Sequence, residues 1–567
     1  MNYIKWLQMI LCLIGVSSMP FLSAKSCSAD YVIVGVGTSG PVVAKMLTDD
    51  KETSVIALHN GENLSKDPVI KFSENAVLTV LDSVIGPPFY ENGLTVPQIG
   101  ADNREVLWAF ALPAGGASSI NAGAYCRGTK ELYSHWEAIA GPKWSVKRIF
   151  HLYKKLENYH GKTTNPRSRG HDGPLNVLQV PPTPISEKFT KAVIKATGVP
   201  FLLDYNDPKT PIGASPQFQE TQKGPDGELR VSSITAFLNK NVMTEDGKGV
   251  NGRKLRVLFE STALRTIWEG NKAVGVEYLQ KGKTKTVFAK KGVIVCAGLQ
   301  SSFFLLHSGV GPKNLLESFN IPVVFDNPNV GQGLVDQTSL VLAFTADPKD
   351  TSLESNTIFE QISWLPDPDP ASNPKKRELR LAVANPIPGL LIAVFDLVQP
   401  KSRGSLTINS SDPLAPPVID LGDFTNTSDL TLFQRGLQVY IKAINKAIHH
   451  IDHKYELISP DPAILDDDAA VIDFIKSRVS SNQSFQSHCR MAPFDQGGVV
   501  DSTGHVYGVQ NLIVADNSIA PLCMDGSAMA TSYLIPTNIA IMLIRKEWAA
   551  LRKQKAINWD AFFEGKE

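Results

Sequence analysis

The chain carries no excess of charge of either sign. Its 567 residues include 56 Lys plus Arg and 56 Asp plus Glu, so the formal net charge is zero. A protein that binds nucleic acid or an anionic membrane surface normally shows a basic excess or patch. The composition therefore gives no reason to expect a nucleic-acid partner.

Cysteine is scarce as well. There are six, and the five that follow residue 26 are Cys27, Cys126, Cys296, Cys489 and Cys523. No two of them lie at a spacing typical of zinc ligands, and an odd number leaves at least one thiol outside any disulfide. We therefore predict neither a metal site nor a disulfide framework.

Long apolar runs are missing after residue 26, where no stretch approaches the ~18 apolar residues that a membrane helix needs. At the N-terminus, Lys5 precedes an apolar run from Trp6 to Val16, and small residues continue to Ala24. This layout is typical of a secretory signal, which we predict over residues 1–26. The protein is then exported, secreted or periplasmic. The alternative is that the same segment anchors it in a membrane.

The remaining composition is that of a globular protein. Hydrophobic residues make up 43% of the chain and charged residues 20%, and we find no internal repeat. At roughly 100–200 residues per domain, such a chain forms several domains or two large interleaved ones. It is long enough to bury a core and a sizeable ligand.

The first informative segment is a glycine-rich turn between two apolar runs. Residues 30–34 and 54–58 have the β-branched character of buried strands, and residues 42–47 have helical spacing. Between the first strand and the helix the pattern G-x-G-x-x-G supplies Gly35, Gly37, Thr38, Ser39 and Gly40. Glycines there allow a tight turn, a close approach to a diphosphate and close helix packing. The sequence predicts a dinucleotide-binding βαβ unit whose helix N-terminus faces the diphosphate.

One residue departs from this motif. An acidic residue about 20 positions after the glycines normally binds the ribose hydroxyls, and here His59 occupies that position. A neutral imidazole accepts one hydrogen bond where a carboxylate accepts several. We therefore expect the adenosine half of a ligand to be bound more weakly or in a different arrangement.

Seven sequence blocks in order resemble the glucose–methanol–choline (GMC) family of flavoprotein oxidoreductases. The block 297–312 is one residue short and has Ser302 where proline is usual. The seven blocks are residues 35–40, 111–128, 171–175, 226–238, 297–312, 329–336 and 512–521. Together they extend over most of residues 29–545.

The resemblance implies an α/β fold, α+β overall, in which two domains interleave. A Rossmann-like FAD-binding domain would comprise residues 29–180, 225–340 and 485–545. A substrate domain built from a mixed sheet with helices would comprise residues 180–224 and 340–484, and residues 546–567 form a C-terminal tail. FAD is the implied cofactor. The residues that would bind it are Gly35, Gly37, Thr38, Ser39, Gly40, His59, Gly115, Gly116, Ser118, Asn121, Ala124, Leu264, Ala297 and Asp516.

The chain differs from the family at the two positions that normally bind and deprotonate the substrate hydroxyl. In GMC enzymes a histidine takes the hydroxyl proton of an alcohol while the hydride passes to the flavin, and a second His or Asn shares the hydroxyl. The residues aligned with that pair are Ser484 and Ser527. A serine hydroxyl is no base near neutral pH without an activating neighbour. His488, four residues further on, is either a displaced base or a packed histidine.

Three functions are compatible with the sequence. The first is an FAD-dependent oxidoreductase, oxidase or dehydrogenase, acting on the CH–OH group of a small alcohol or aldehyde. The second is a catalytically impaired relative retained as a binding, coat or structural component, which the two serines and His59 favour. The third is a hydroxynitrile-lyase-like activity, against which Ser484 also counts. Oligomerisation is compatible with all three.

Overall fold

The computed structural model describes residues 27–71, 89–221, 230–350 and 358–552, with side chains to residue 546. The predicted signal of residues 1–26 and most of the predicted C-terminal tail lie outside these ranges. Within them, no helix combines the length and apolar character needed to cross a bilayer. All five cysteines after residue 26 are described, and none of them forms a disulfide.

The described chain contains 24 strands and 12 α-helices. The strands are β1 Ser28–Val34, β2 Val55–Leu58, β3 Tyr90–Leu94, β4 Leu107–Ala111, β5 Glu157–His160, β6 Leu175–Gln179, β7 Gly213–Ser215, β8 Gln219–Glu220, β9 Leu255–Leu258, β10 Ser261–Glu269, β11 Lys272–Gln280, β12 Lys283–Val295, β13 Val310–Gly311, β14 Phe325–Asp326, β15 Gln332–Leu334, β16 Thr338–Thr345, β17 Gln361–Leu365, β18 Leu379–Ile387, β19 Leu390–Leu397, β20 Gly404–Thr407, β21 Val418–Asp420, β22 Leu457–Ser459, β23 Ser480–Ser481 and β24 Leu512–Val514. The helices are α1 Gly40–Thr48, α2 Pro68–Lys71, α3 Lys130–Ala140, α4 Val146–Leu156, α5 Pro184–Thr197, α6 Ser233–Phe237, α7 Ser301–His307, α8 Lys313–Ser318, α9 Thr427–Arg435, α10 Lys442–Ile451, α11 Asp468–Arg478 and α12 Met529–Arg552. The longest run of described strands without an α-helix is β14–β21.

The first large sheet is a parallel sheet with an antiparallel extension. Five parallel strands lie in the order β24-β12-β1-β2-β9, and β12 continues into the antiparallel meander β10-β11-β12. In the central strand β1, Val32 and Ile33 are fully buried, as expected when helices cover both faces of a parallel sheet. The predicted strand, glycine turn, helix and second strand are confirmed as β1, α1 and β2.

The second large sheet is antiparallel throughout. Its strands lie in the order β22-β16-β19-β18-β17-β7, and β23 pairs with β16. Helix α5 packs on β17 and β7, and α10 packs against α5. Trp364, Phe344 and Phe395 are fully buried in a hydrophobic core separate from that of the first sheet.

The predicted fold class is confirmed, since a Rossmann-like sheet stands beside a sheet-and-helix layer. The exact domain boundaries stay a prediction. Leu406 and Ile419, which come from the segment assigned to the substrate domain, pack in the core of the first sheet. The chain crosses between the two layers more often than those boundaries indicate.

A fully buried ionic network holds the loops between the two layers. Glu157 on β5 forms ion pairs with Arg127 and Arg169, and Arg169 Nη1 lies 3.4 Å from Asp204 Oδ1. The Arg169 guanidinium also lies 3.6 Å from the ring centre of Tyr159. Buried charges carry a large desolvation penalty, so each depends on its partner.

We expect Glu157→Gln to destabilise the protein strongly, because it leaves two buried guanidinium groups short of a counter-ion. The expected loss is about 3–5 kcal/mol in the free energy of unfolding, measured by urea denaturation. Glu187→Gln is the control, since Glu187 on α5 is half exposed and sits 4.0 Å from Lys191. That change should cost less than about 1 kcal/mol. Equal losses in the two variants would show that the network contributes nothing specific.

Candidate functional site

The site begins at the carboxyl end of β1, where the backbone passes very close to its neighbours. Gly35 has φ +96°, and a Cβ there would lie 2.5 Å from the carbonyl oxygen of Cys296. A Cβ on Gly40 would lie 2.1 Å from the carbonyl oxygen of Gly35. Only glycine fits at either position, as the motif predicts, and α1 starts at Gly40.

A second glycine-rich loop closes over this turn. The Gly115 N–H donates to the Val36 carbonyl at 2.9 Å. A Cβ on Gly116 would lie 2.7 Å from Gly37 Cα, so the two loops are in backbone contact. The Ser118 N–H donates to Thr38 Oγ1 at 3.3 Å, and Ser118 Oγ donates to the Gly115 carbonyl.

The donors of this turn fit a diphosphate. Among the described residues, the backbone N–H groups of Gly37, Thr38 and Ser39 have no hydrogen-bond acceptor. They lie at the N-terminus of α1, where the helix dipole favours negative charge. Ser39 Oγ donates to the Ser532 carbonyl at 3.0 Å instead of capping its own helix. The turn therefore offers free donors to an anion and touches the C-terminal helix.

His59 lies at the end of β2, directly beside the glycine turn. The Val36 N–H donates to its Nδ1 at 3.4 Å, and the ring is buried. Burial lowers the pKa of His59 to about 4, so the imidazole is neutral near pH 7. The ring thus joins the second strand to the glycine turn. Contact with a ribose stays a prediction.

Asn121 lies where the first signature block meets the last. Its Oδ1 accepts from the Gly123 N–H at 2.9 Å, and its Nδ2 lies 3.4 Å from the Met529 sulfur at the start of α12. The side chain caps its own loop while facing the C-terminal block. Ala124, three residues on, is half-buried and pairs with Glu220 across an isolated bridge.

Asp516 links the second signature block to the C-terminal block. Its buried carboxylate accepts from the Gly298 N–H at 3.0 Å, from Ser301 Oγ at 2.6 Å and from the Ser518 N–H at 2.9 Å. Burial raises the pKa of Asp516, and these hydrogen bonds oppose that rise. Ala297 precedes Gly298 at the end of β12, and Leu264 is buried on β10. The Asp516 carboxylate therefore joins the segment after β12 to the C-terminal block.

Ser484 and Ser527 lie on two loops that glutamine side chains tie together. Gln486 donates to the Ser484 carbonyl and accepts from the Met524 N–H, at 3.0 and 3.1 Å. Gln337 donates to the carbonyls of Met524 and Gly526, at 3.0 and 2.9 Å. Both serines are half-buried. The structure thus brings together the two segments that the alignment pairs.

His488 is fully buried, and its ring contacts Ser302 in the second signature block. The Ser302 hydroxyl lies 2.8 Å from its Nδ1, and burial lowers the pKa of His488 to about 3. A neutral, enclosed imidazole matches the packed-histidine interpretation. Action as a displaced base would require it to leave this position.

Two buried carboxyl groups, one in contact with Ser484 and the other close to the first, were not predicted from the sequence to have a role. Asp336 Oδ1 accepts from the Ser484 N–H at 2.7 Å, and its Oδ2 accepts from Ser481 Oγ. Burial raises the pKa of Asp336 to about 6. Burial, with the nearby Asp336 charge, raises the pKa of Asp423 to about 7. Asp336 was visible in the block 329–336, but only the fold places it against Ser484.

Comparison with known proteins identifies the family. Residues 29–339 match the N-terminal family model of GMC oxidoreductases and residues 400–535 match the C-terminal one. An alcohol dehydrogenase (acceptor) of Pseudomonas putida is 30% identical, covering 91% of this chain and 96% of that protein. A 5-(hydroxymethyl)furfural oxidase of Methylovorus sp. is 27% identical, covering 90% and 98%. The chain belongs to the GMC oxidoreductase family, whose cofactor is FAD.

Solved structures show the same fold. Pyridoxine 4-oxidase from Mesorbium loti superposes with a TM-score of 0.79 at 23% identity, over 91% of this chain and 99% of that one. Formate oxidase from Aspergillus oryzae superposes with a TM-score of 0.81 at 22% identity, over 92% and 99%. At these identities the likeness concerns the fold alone.

The raised pKa of Asp423 predicts a pH-dependent stability. A carboxyl that titrates near pH 7 in the folded chain and near its ordinary 3.8 in the unfolded chain binds more protons when folded. The free energy of unfolding therefore falls as pH rises from about 4 to 7. Asp423→Asn removes the titrating carboxyl group. It should stabilise the protein at pH 8 by roughly 1–4 kcal/mol, with little gain at pH 4.

Urea denaturation at both pH values measures this effect. Asp495→Asn is the matched control, because Asp495 is exposed on a surface turn. A gain at pH 8 that is no larger than that of the control would show that Asp423 ionises freely in the folded protein.

Proposed function

We propose that this protein oxidises the CH–OH group of a small alcohol or aldehyde with FAD, and does so slowly because two serines replace the usual proton-handling pair. One observation carries the proposal. Ser39 of the glycine turn donates to the Ser532 carbonyl, and Asn517, next to Asp516, donates to the Ser532 hydroxyl. The Ser487 N–H, in the Ser484 loop, donates to the Asn517 carbonyl, and Gln486 joins that loop to the segment before Ser527. These hydrogen bonds link the free N–H donors of the glycine turn to the loops that carry the two serines, which supports a single joint site.

The roles of the residues follow from their chemistry. FAD, when bound, supplies the hydride acceptor. Gly37, Thr38 and Ser39 offer their N–H groups to its diphosphate. Ser484 and Ser527 can donate to or accept from a substrate hydroxyl and so orient it. Neither removes the hydroxyl proton efficiently at neutral pH.

Proton removal is therefore the slow step. Loss of a general base typically lowers a rate by about 10²–10⁴-fold. Asp336 reaches the backbone of Ser484 and not its hydroxyl, so it holds the loop without activating the serine. Substrate positioning is retained and proton abstraction is weak.

A second candidate is a non-catalytic role as a binding or structural component. The position of His488 favours it, because the histidine nearest to the serine loop in sequence is buried and neutral. The two candidates predict different responses to alcohol. An enzyme loses its flavin absorption anaerobically when an alcohol is added, whereas a binding protein keeps it.

We expect Ser484→His to raise the turnover of alcohols by about 10²–10⁴-fold, since it restores an imidazole base at the position where the family has one. The measurement is anaerobic bleaching of the flavin bands near ~450 nm over a panel of small alcohols. Ser477→His on the exposed end of α11 is the control and should leave the rate unchanged. A purified protein without flavin bands would refute the cofactor half of the proposal. No gain from Ser484→His would refute only the assignment of the base position.

We also propose that the chain is exported, on the support of the Lys5 cation, the apolar run from Trp6 to Val16 and the small residues that follow. Leu11→Arg interrupts the apolar run and should keep the protein inside the cell, whereas Leu11→Ile should not. Fractionation and N-terminal sequencing of the released protein measure this. Release of an uncleaved chain, or of the Arg variant, would contradict it.

A further inference from the structure

Arg230 is a buried arginine whose charge is only partly used. Its side chain is 6% exposed. Its Nη1 donates to the carbonyl of Asn121, and its Nε and Nη2 have no hydrogen-bond partner. A buried guanidinium with two unpaired nitrogen atoms is costly for a folded protein unless a ligand supplies the missing acceptor.

No acidic side chain in the described part of the chain forms an ion pair with Arg230. Glu220 is close enough to raise the pKa of the guanidinium, but burial outweighs this and lowers it to about 10. Arg169 shows the contrast, because it pairs with Glu157 and Asp204 and stacks on Tyr159. Of these two buried arginines, Arg230 has no ion pair with a described residue and has two nitrogen atoms without a hydrogen-bond partner, whereas Arg169 lacks a hydrogen-bond partner only at Nε.

The position of Arg230 connects it to the glycine loops. Three residues later, Ser233 Oγ donates to the Thr38 carbonyl at 2.6 Å, and the Ser233 N–H donates to Ser118 Oγ at 2.9 Å. Arg230 itself holds the loop that ends at Asn121. The Arg230 guanidinium therefore contacts, through the Asn121 carbonyl, the loop that packs on the glycine turn.

The turn has no cation of its own. Neither residues 35–40 nor residues 115–124 include a Lys or Arg, so they present only N–H dipoles to an anion. A dinucleotide carries two negative charges on its diphosphate, and a charge-assisted hydrogen bond is about twice as strong as a neutral one. A single buried cation beside the turn supplies what the loops lack.

We propose that Arg230 binds an anionic oxygen of the flavin dinucleotide, as a cofactor-binding residue beyond the glycine motifs. This inference rests on the proposed use of FAD. The oxygen belongs either to the diphosphate or to the ring carbonyls, which carry negative charge in the reduced cofactor. Both sources present the same chemistry to the guanidinium.

The test compares variants in protein freed of flavin, with affinity measured by quenching of flavin fluorescence. Arg230→Met should weaken FAD binding by about 10- to 100-fold. It should not lower the thermal midpoint of the flavin-free protein, because it removes an incompletely paired buried charge. Arg230→Lys keeps the charge and should retain most of the affinity. Arg169→Met, the control, should lower the thermal midpoint because it leaves Glu157 and Asp204 unpaired.

Riboflavin in place of FAD separates the two sources. A penalty seen only with FAD assigns Arg230 to the diphosphate, and a penalty seen with both assigns it to the ring. Affinity of Arg230→Met within twofold of the unchanged protein would overturn the proposal. So would a fall in its flavin-free midpoint as large as that of Arg169→Met, which marks a structural role. Absence of FAD binding by the unchanged protein would refute the proposed function itself.

Discussion

The close approach of three backbone segments at the carboxyl end of β1 is the constraint that shapes the candidate site. Gly35 lies against Cys296 at the end of β12, and Gly37 lies against Gly116 from a distant loop. The absence of a Cβ at these points lets the parallel sheet, the start of α1 and the 115–124 loop meet without a gap. Free N–H donors collect at that meeting point, and the C-terminal helix is joined to it through Ser39 and Ser532.

Three groups of buried charge in the described part of the chain differ in how they are satisfied. The Arg127–Glu157–Arg169–Asp204 network is internally paired, so its function is to hold loops in place. Asp336 is satisfied by the backbone and hydroxyls of the Ser484 loop, which makes it a support for that loop. Arg230 is only partly satisfied, and a buried polar group in that condition points to a ligand.

The proposed substrate side of the site consists of two loops in fixed positions. Gln337 and Gln486 hold the loops that carry Ser484 and Ser527 by hydrogen bonds to their backbones. Hydride transfer is the cofactor's chemistry, whereas proton removal depends on a side chain with a suitable pKa. The function we propose follows from this division, because the two serines offer hydrogen bonds to a substrate hydroxyl but no base at neutral pH.

The sequence was enough to predict the βαβ unit and the family, because strand and helix periods and glycine spacing are local patterns. It also predicted that Gly35 and Gly40 must be glycine, and the resemblance aligned Ser484 and Ser527 with the usual catalytic pair. The fold was needed to show that His59 joins β2 to the glycine turn, that Asn121 caps its own loop and that His488 is enclosed. The roles of Asp336, Asp423 and Arg230 were likewise beyond the sequence. Burial and pairing arise between residues far apart in the chain, such as Asp336 and Ser484, and no local pattern records which polar group meets which partner.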